Sequence, residues 1–253
     1  MAGKGLQIDA GGGLTAYLAA ADATTAELLA SDSPLVATIH QYDDYIRTRL
    51  WAGMEPEPIA LILFMNAYQV WMAGIRAALS GHSVAVFPTL RTALESAAFG
   101  GLIVENPELS EVWSHRHRDE ASHKACRKAF TFDRAIAPLE AKAPSLHWLA
   151  VQAYSNAIDY GAHPNIKGVF GHVTMDEDRS DNHVAVVHTS LYGAGHVETI
   201  RGLCACLDFG LAIIGTIAAT LSLPSGQISQ DLQALSDAKD DATAPYSVPS
   251  PTE

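Results

Sequence analysis

The chain has 253 residues, of which 48% are hydrophobic and 17% charged, and its formal net charge is −12. It can therefore bury a sizeable core, which excludes disorder over most of its length, and its acidity argues against a general nucleic-acid coat protein. The three cysteines are too few for a disulfide framework, and the amino terminus lacks the apolar core of a signal peptide. We therefore expect a cytoplasmic protein.

Apolar residues at helical spacing predict a series of helices in the first two thirds of the chain. Residues 1–13 are Gly-rich and are predicted to form a flexible N-terminus. The predicted helices span residues 14–30, 34–51, 59–80, 88–104, 107–130 and 146–160. The third is apolar nearly all round, so we expect it in the centre of the fold. Pro88 suits the first turn of the fourth helix, and Gly161 suits a cap at the end of the sixth.

The last third of the chain has a different character. Short β-branched segments on either side of an acidic loop predict a β-hairpin at about residues 168–192. A long apolar helix is expected at residues 194–221, a short helix at 229–236, and a disordered tail at 238–253. The long helix could cross a membrane by length, but Asp208 lies inside it, so a central buried helix is favoured. The predicted fold is mostly α: a single multi-helix bundle, residues 14–237, with one small β-hairpin.

One segment, Trp113 to Phe130 (WSHRHRDEASHKACRKAF), concentrates three histidines, three arginines and two lysines in this acidic chain. On a continuous helix with about 3.6 residues per turn, the apolar stripe of this segment becomes polar in its middle turns. The polar members of the stripe are Arg116, Glu120, His123 and Arg127. Because buried charges are costly unless they are paired, this face is expected to line a buried salt network or a polar cavity.

Arg116 and His123 are separated by two helical turns, so on such a helix both side chains reach one point. An arginine that holds a phosphate and a histidine that moves a 2′-hydroxyl proton form a minimal ribonuclease site. The spacing resembles the Arg-(four to six residues)-His motif of HEPN domains, which are all-helical, usually dimeric, and often metal-independent RNases of bacterial defence and toxin–antitoxin systems. The resemblance implies catalytic roles for Arg116 and His123. A structural charge network or a partly solvated face remains the alternative.

Two further motifs lie on either side of this segment. In TLRTALESAAFGG, Arg91 and Glu95 stand four residues apart and are expected to pair along their helix. In AIDYGAHPN, Tyr160 and His163 close a helix, where capping and turn chemistry explain them as readily as ligand binding does.

Together, the three motifs resemble those of uncharacterised bacterial helical proteins that are placed near the HEPN-like and abortive-infection families. The resemblance covers about residues 87–165. It implies that these residues converge on one polar cavity: Arg91, Glu95, Arg116, His123 and His163. Glu120, Arg127 and Tyr160 are expected to contribute to binding there.

No metal or other cofactor is expected. His115 and His117 point in nearly opposite directions on a helix and do not share an ion easily. The phosphate-binding loop, the dinucleotide-binding glycine motif, the serine elbow and the zinc-protease motif are absent.

Two functional classes stay open. The first is a helical interaction or regulatory protein, associated with bacterial defence through the resemblance, whose polar cavity is structural or binds a small anion. The second is a HEPN-like, metal-independent endoribonuclease, so whether the chain is an enzyme stays open as well. The expected partners are a second copy of the chain in a homodimer, and RNA or a small anion. Neither a membrane nor DNA is expected.

Overall fold

A computed structural model of the chain describes residues 13–52, 54–162, 166–176, 185–221 and 225–246. The helices are α1 (Gly13–Ala30), α2 (Pro34–Tyr45), α3 (Pro58–Leu79), α4 (Ser83–Glu105), α5 (Leu109–Ser114), α6 (Glu120–Ala129), α7 (Phe132–Lys142), α8 (Pro144–Ala157), α9 (Ile166–Phe170), α10 (Val197–Thr220) and α11 (Ser225–Thr243). A π-helical turn, Ile46–Leu50, extends α2, and a 3₁₀ turn, Ala244–Tyr246, follows α11.

The strands β1 (Val173–Asp176) and β2 (Ala185–His188) form an antiparallel pair in which Val173 lies opposite His188. Both strands fall inside the predicted hairpin region. The prediction of a mostly α fold with one small hairpin is therefore confirmed.

Helices α4 and α10 form the centre of the bundle. Helix α4 packs against α3, α7, α8 and α10. Helix α10 also packs against α3 and α8, and it packs against α2 and α11 as well. Most residues of α10 are buried, as predicted. The central position predicted for α3 is only half right, because Ile62, Met65 and Met72 on its outer side are exposed.

Small residues let α3 and α4 approach each other closely. A Cβ atom added at Gly100 of α4 would lie 2.6 Å from the Phe64 ring, and one added at Gly74 of α3 would lie 2.6 Å from Leu90. Real side chains do not approach so closely, so each glycine makes room for a large apolar group of the facing helix. Helix α4, rich in Ala and Gly, thereby occupies the centre in place of α3.

The predicted start of α4 at Pro88 is wrong, because the helix begins five residues earlier, at Ser83. Pro88 lies inside the helix, where its missing N–H removes one backbone hydrogen bond. The helix nevertheless continues, since Val86, Phe87 and Leu90 on both sides of the proline are buried in the core.

The predicted continuous helix over residues 107–130 is also wrong. It is broken into α5 and α6 by a turn in which Asp119 has an extended backbone and caps α6, its carboxylate accepting a hydrogen bond from the N–H of Ser122 at 2.7 Å. Aspartate is among the best N-cap residues, and the cap starts a new helix with a new direction. Arg116, which lies in the turn, therefore does not share a helical face with His123.

Helix α7 was not predicted. Helix α8 continues into a wide turn, Ile158–Ala162, in which Gly161 adopts a φ of +144°, which accords with its predicted place at a helix end. Few residues other than glycine adopt such a backbone conformation.

The predicted disorder from residue 238 onward is wrong as far as residue 246. Helix α11 runs to Thr243 because it packs against α2 and α10, where Ala242 is buried and Lys239 forms an ion pair with Asp208 at 3.0 Å. The remaining tail, residues 247–253, and the Gly-rich residues 1–12 lie outside the described residues.

Two helices, α3 and α10, are long and apolar enough to cross a membrane by length and composition. Over its most apolar stretch α10 is 83% buried inside the fold, which is the environment of a core helix. The length and hydropathy of α10 are therefore weak evidence that this helix crosses a membrane.

Candidate functional site

The basic residues of the α5–α6 region lie on the surface. We call Arg116, Arg118, Lys124, Arg127 and Lys128 the basic surface, and all five are exposed. Glu120 is exposed as well and His123 is half-buried. The two larger cavities of the described chain are lined by other residues.

Some charged side chains of the α5–α6 region form ion pairs with near neighbours in the sequence. Arg118 pairs with Asp119 at 3.3 Å, and His115 Nδ1 lies 2.9 Å from a carboxylate oxygen of Glu111. Burial raises the pKa of the Cys126 thiol, and the charge of Arg116 partly opposes this shift. The region is thus a solvated face with local ion pairs, and not the lining of a polar cavity.

Arg91 and Glu95 form the expected pair, with Arg91 Nε 3.0 Å from Glu95 Oε1. Tyr154 of α8 completes the group, since its hydroxyl accepts a hydrogen bond from Arg91 at 2.8 Å and lies 3.2 Å from Glu95 Oε1. The Arg91 guanidinium lies over the Tyr154 ring, which in turn stacks on Phe132 of α7 with the centroids 3.9 Å apart. We call these four residues the Arg91 cluster; it joins α4, α7 and α8.

Tyr160, in the wide turn after α8, lies between two cavities. Its ring stacks on Phe87 of α4 with the centroids 5.3 Å apart. Two cations also lie near the ring: Lys167 Nζ is 5.6 Å and the Arg201 guanidinium 5.5 Å from its centroid. Phe87, Tyr160 and Arg201 line both cavities, which we together call the Tyr160 cleft.

The first part of the cleft, here called the apolar cavity, has a volume of about 460 Å³. Its apolar wall is formed by Phe87, Tyr160, Ile166, Phe170 and Gly171, and its polar residues are Ser83, Lys167, His172, Glu198 and Arg201. This volume is typical of small-ligand sites, which combine mostly apolar walls with a few polar groups.

Two polar side chains of the apolar cavity are deeply buried. His172 is 7% exposed, and its Nδ1 lies 2.7 Å from the Tyr192 hydroxyl. Burial lowers the pKa of His172, so the imidazole is neutral near pH 7. Ser83 is 6% exposed, and among the described residues its Oγ has no hydrogen-bond partner.

The second part, here called the polar cavity, has a volume of about 390 Å³. Gln152 and Asn156 of α8 line it, together with the Asp208–Lys239 ion pair of α10 and α11. The Lys239 side chain is 16% exposed, so the pair is partly shielded from water. The cleft therefore offers an apolar part and a polar part on either side of Arg201.

The structure thus distributes the predicted site residues over three places. Arg91 and Glu95 belong to the Arg91 cluster, and Arg116, Glu120, His123 and Arg127 lie on the α5–α6 surface. Tyr160 lines the cleft, and His163 lies outside the described residues.

Sequence reasoning missed Ser83, His172 and Arg201. The three are far apart along the chain, and no spacing rule connects a helix start, a loop histidine and an arginine of a later helix. A weak signal existed for Arg201 alone, since an arginine early in a long apolar helix must lie near a surface or a partner.

Within the described ranges, no group of three or more His, Cys, Asp or Glu side chains could hold a metal ion. No protein-family model, curated protein or solved structure matches this chain, so the HEPN-like resemblance stays a prediction and the geometry carries the functional argument.

Proposed function

We propose that this chain is a cytoplasmic helical interaction or regulatory protein that binds a small ligand in the Tyr160 cleft. The observation that carries the proposal is the meeting of two cavities at Phe87, Tyr160 and Arg201. A ligand there would contact α4, α8, α9, α10 and α11 at once, so its binding would stabilise their arrangement.

The composition of the cleft supports binding rather than structural filling. Phe170 is 59% exposed at the wall of the apolar cavity, and Ile166 beside it is also exposed. Exposed apolar groups around a concave site of this size are typical of ligand-binding sites. The described cleft residues contain no nucleophile paired with a base, so binding is the simpler function.

A blocking substitution tests this proposal. Asn156 lines the polar cavity and Ile166 lines the apolar cavity, and both side chains are exposed. The double variant Asn156→Trp/Ile166→Trp would therefore narrow both parts of the cleft from the surface without changing the core. A set of small fragments is screened by ligand-observed NMR against the wild type and this variant. Gln41→Trp, on the exposed side of α2, is the matched control.

We expect fragments that bind the wild type and Gln41→Trp but not the double variant Asn156→Trp/Ile166→Trp. Fragments that bind all three proteins equally, or none at all, would contradict a ligand site in the cleft.

The second candidate is the HEPN-like, metal-independent endoribonuclease. The basic surface supports it, because five exposed cations lie between Arg116 and Lys128 in a chain whose net charge is −12, and polyanions bind to concentrations of positive charge. Arg116 would hold the phosphate and His123 would move the proton.

RNA cleavage in excess EDTA tests this candidate, with wild type compared with Arg116→Ala and His123→Ala. Arg118→Ala is the matched control, since it removes a neighbouring exposed charge of the same kind. Loss of cleavage in the first two variants only would support the nuclease. No cleavage by the wild type, or equal cleavage by all four proteins, would exclude it.

A further inference from the structure

The Arg201 side chain has hydrogen-bonding capacity that the described residues do not use. It is 41% exposed and lies at the junction of the two cavities, where its Nη1 pairs with Glu198. Among the described residues, its Nε and Nη2 have no hydrogen-bond partner. A guanidinium presents five donors in a planar fork that matches a carboxylate or a phosphate.

Ser83 provides a second unused group in the same cavity. A buried hydroxyl without a partner is unfavourable, and few such groups occur in a folded protein. Its Oγ is shielded from solvent although the residue lines the cavity, so a ligand reaches the hydroxyl only after a change of the Ser83 χ1 rotamer. Ser83 is also the first residue of α4, a helix of 23 residues, and the positive end of a long helix favours an anion.

The charges of the apolar cavity favour an anion over a cation. Lys167 and Arg201 line it against one carboxylate, Glu198, which pairs with Arg201. Lys167 pairs with Asp159, which does not line the cavity. Both cations also lie near the Tyr160 ring, so a cationic ligand would meet charges of its own sign there.

The apolar wall of the same cavity favours a ligand whose body is apolar. Phe87 and Tyr160 form a stacked pair of rings on one side, and Phe170 lines the same cavity. Flat rings pack well against such surfaces, and burial of their faces removes apolar area from water.

We propose that the ligand of the Tyr160 cleft is a small organic acid with a flat apolar body. Its anionic group binds the free edge of Arg201 and the hydroxyl of Ser83. Its body lies in the apolar cavity against Phe87, Tyr160 and Phe170. This inference rests on the proposed function and specifies its ligand class.

Four probes that differ in one property each test the ligand class on the full-length protein. Benzoate carries a ring and an anion, benzyl alcohol a ring alone, acetate an anion alone, and benzylammonium a ring and a cation. Phenyl phosphate added as a fifth distinguishes a phosphate ester from a carboxylate. Binding is measured by calorimetry or by NMR chemical shifts.

We expect benzoate or phenyl phosphate to bind the wild type about tenfold more tightly than benzyl alcohol, because hydrogen bonds to charged groups are the stronger ones. Acetate and benzylammonium should bind more weakly than either aromatic anion. Arg201→Gln should remove the preference for the anion and leave benzyl alcohol binding unchanged, whereas Arg201→Lys should retain part of the preference. Arg118→Gln, outside the cleft, should change nothing.

Ser83→Ala separates a binding role from a structural one. It removes an unpaired hydroxyl, so we expect unchanged or higher thermal stability together with weaker binding of the aromatic anion. Weaker binding that only follows a general loss of stability would contradict the role of Ser83.

The outcomes also distinguish failure of this inference from failure of the proposed function. If neither benzoate nor phenyl phosphate binds more tightly than benzyl alcohol, or if benzylammonium binds best, the ligand class is overturned and a ligand site in the cleft remains. If no probe binds and the fragment set also finds no ligand blocked by the double variant Asn156→Trp/Ile166→Trp, both proposals fail.

Discussion

Tyr154 is the residue on which the Arg91 cluster depends, because one hydroxyl contacts both charged partners and one ring stacks on Phe132. Burial is the main reason that the pKa of Tyr154 is raised, and the Glu95 charge adds to it, so the hydroxyl stays protonated at neutral pH. The pair of charges is thus tied to α8 by a neutral group.

Tyr154→Phe should lower the free energy of unfolding by about 1 kcal/mol, because it removes the hydrogen bonds and keeps the ring. Urea denaturation measures the loss. Tyr17→Phe is the matched control, since among the described residues the Tyr17 hydroxyl makes no hydrogen bond, and it should leave stability unchanged. An equal effect of the two substitutions would show that the hydrogen bonds of the Tyr154 hydroxyl add nothing to stability.

His172 should make stability depend on pH. Its folded-state pKa is lowered by burial and by the positive charges of His188 and Arg201, and the Glu198 charge only partly opposes this. An unfolded histidine titrates near pH 6.5, so below that pH the unfolded chain binds a proton that the folded chain does not. The contribution of His172 is therefore complete above about pH 6.5 and is lost as the pH falls below that value.

Melting temperatures compared at about pH 7 and about pH 5 measure this loss in the wild type and in His172→Asn. Asparagine keeps a hydrogen-bonding group near Tyr192 but does not titrate, so the loss on acidification should be smaller in the variant. Burial also lowers the pKa of His82, so this residue adds the same loss of stability on acidification to both proteins. Identical pH profiles would contradict the assignment to His172.

At the scale of the elements, α10 is held in the centre by close approach at Gly210. A Cβ atom there would lie 2.8 Å from the Tyr42 ring and 3.0 Å from the Trp71 ring. Both rings are fully buried, Tyr42 donates a hydrogen bond to the Leu235 carbonyl, and Trp71 donates one to the Cys206 carbonyl. Neither ring can therefore move away easily.

Gly210→Ala should destabilise the fold by up to about 2 kcal/mol, since overpacking costs about 1–3 kcal/mol and the gain in helix propensity offsets about 1 kcal/mol of this cost. Chemical denaturation measures it. Gly195→Ala is the control, because a Cβ atom at Gly195 meets no atom within 4 Å. A stabilised Gly210→Ala protein would mean that the core adjusts around the added methyl group.

Most helices could be predicted from apolar spacing, and the failures have a local cause. The prediction of one helix over residues 107–130 did not take account of Asp119. The capping hydrogen bond of this residue competes with continuation of the helix. The start of α4 was misplaced because proline is only a preference at the first turn, and the buried residues before Pro88 outweighed it. Disorder after residue 238 was predicted from polarity, which says nothing of the surface against which α11 packs.

At the scale of the molecule, the apolar outer side of α3 bears on the predicted homodimer. Ile62, Met65 and Met72 are exposed along one face, and Leu14 and Leu18 of α1 are exposed too. Apolar patches on a soluble protein commonly mark interfaces, and two copies of one chain pair through the same surface on each.

We expect the wild type to have twice the mass of one 26.9 kDa chain in light scattering, and Met65→Lys to reduce it to the mass of a monomer. A lysine in the middle of an apolar interface would have to be desolvated, which disfavours association. Gln41→Lys on α2 is the control. A monomeric wild type would contradict the homodimer.

The sequence by itself determined the helical class, the hairpin region, the buried position of α10 and the Arg91–Glu95 pair. These depend on periodicity, β-branched composition and i,i+4 spacing, which are properties of neighbouring residues. Only the tertiary structure decided which residues share a cavity. Ser83, Tyr160, His172 and Arg201 meet because α4, α10 and the turn after α8 pack together, whereas Arg116 and His123 separate because one aspartate caps a new helix. Proximity between distant segments is set by packing, and the periodicity of one element shows which of its faces is buried but not which other element it meets.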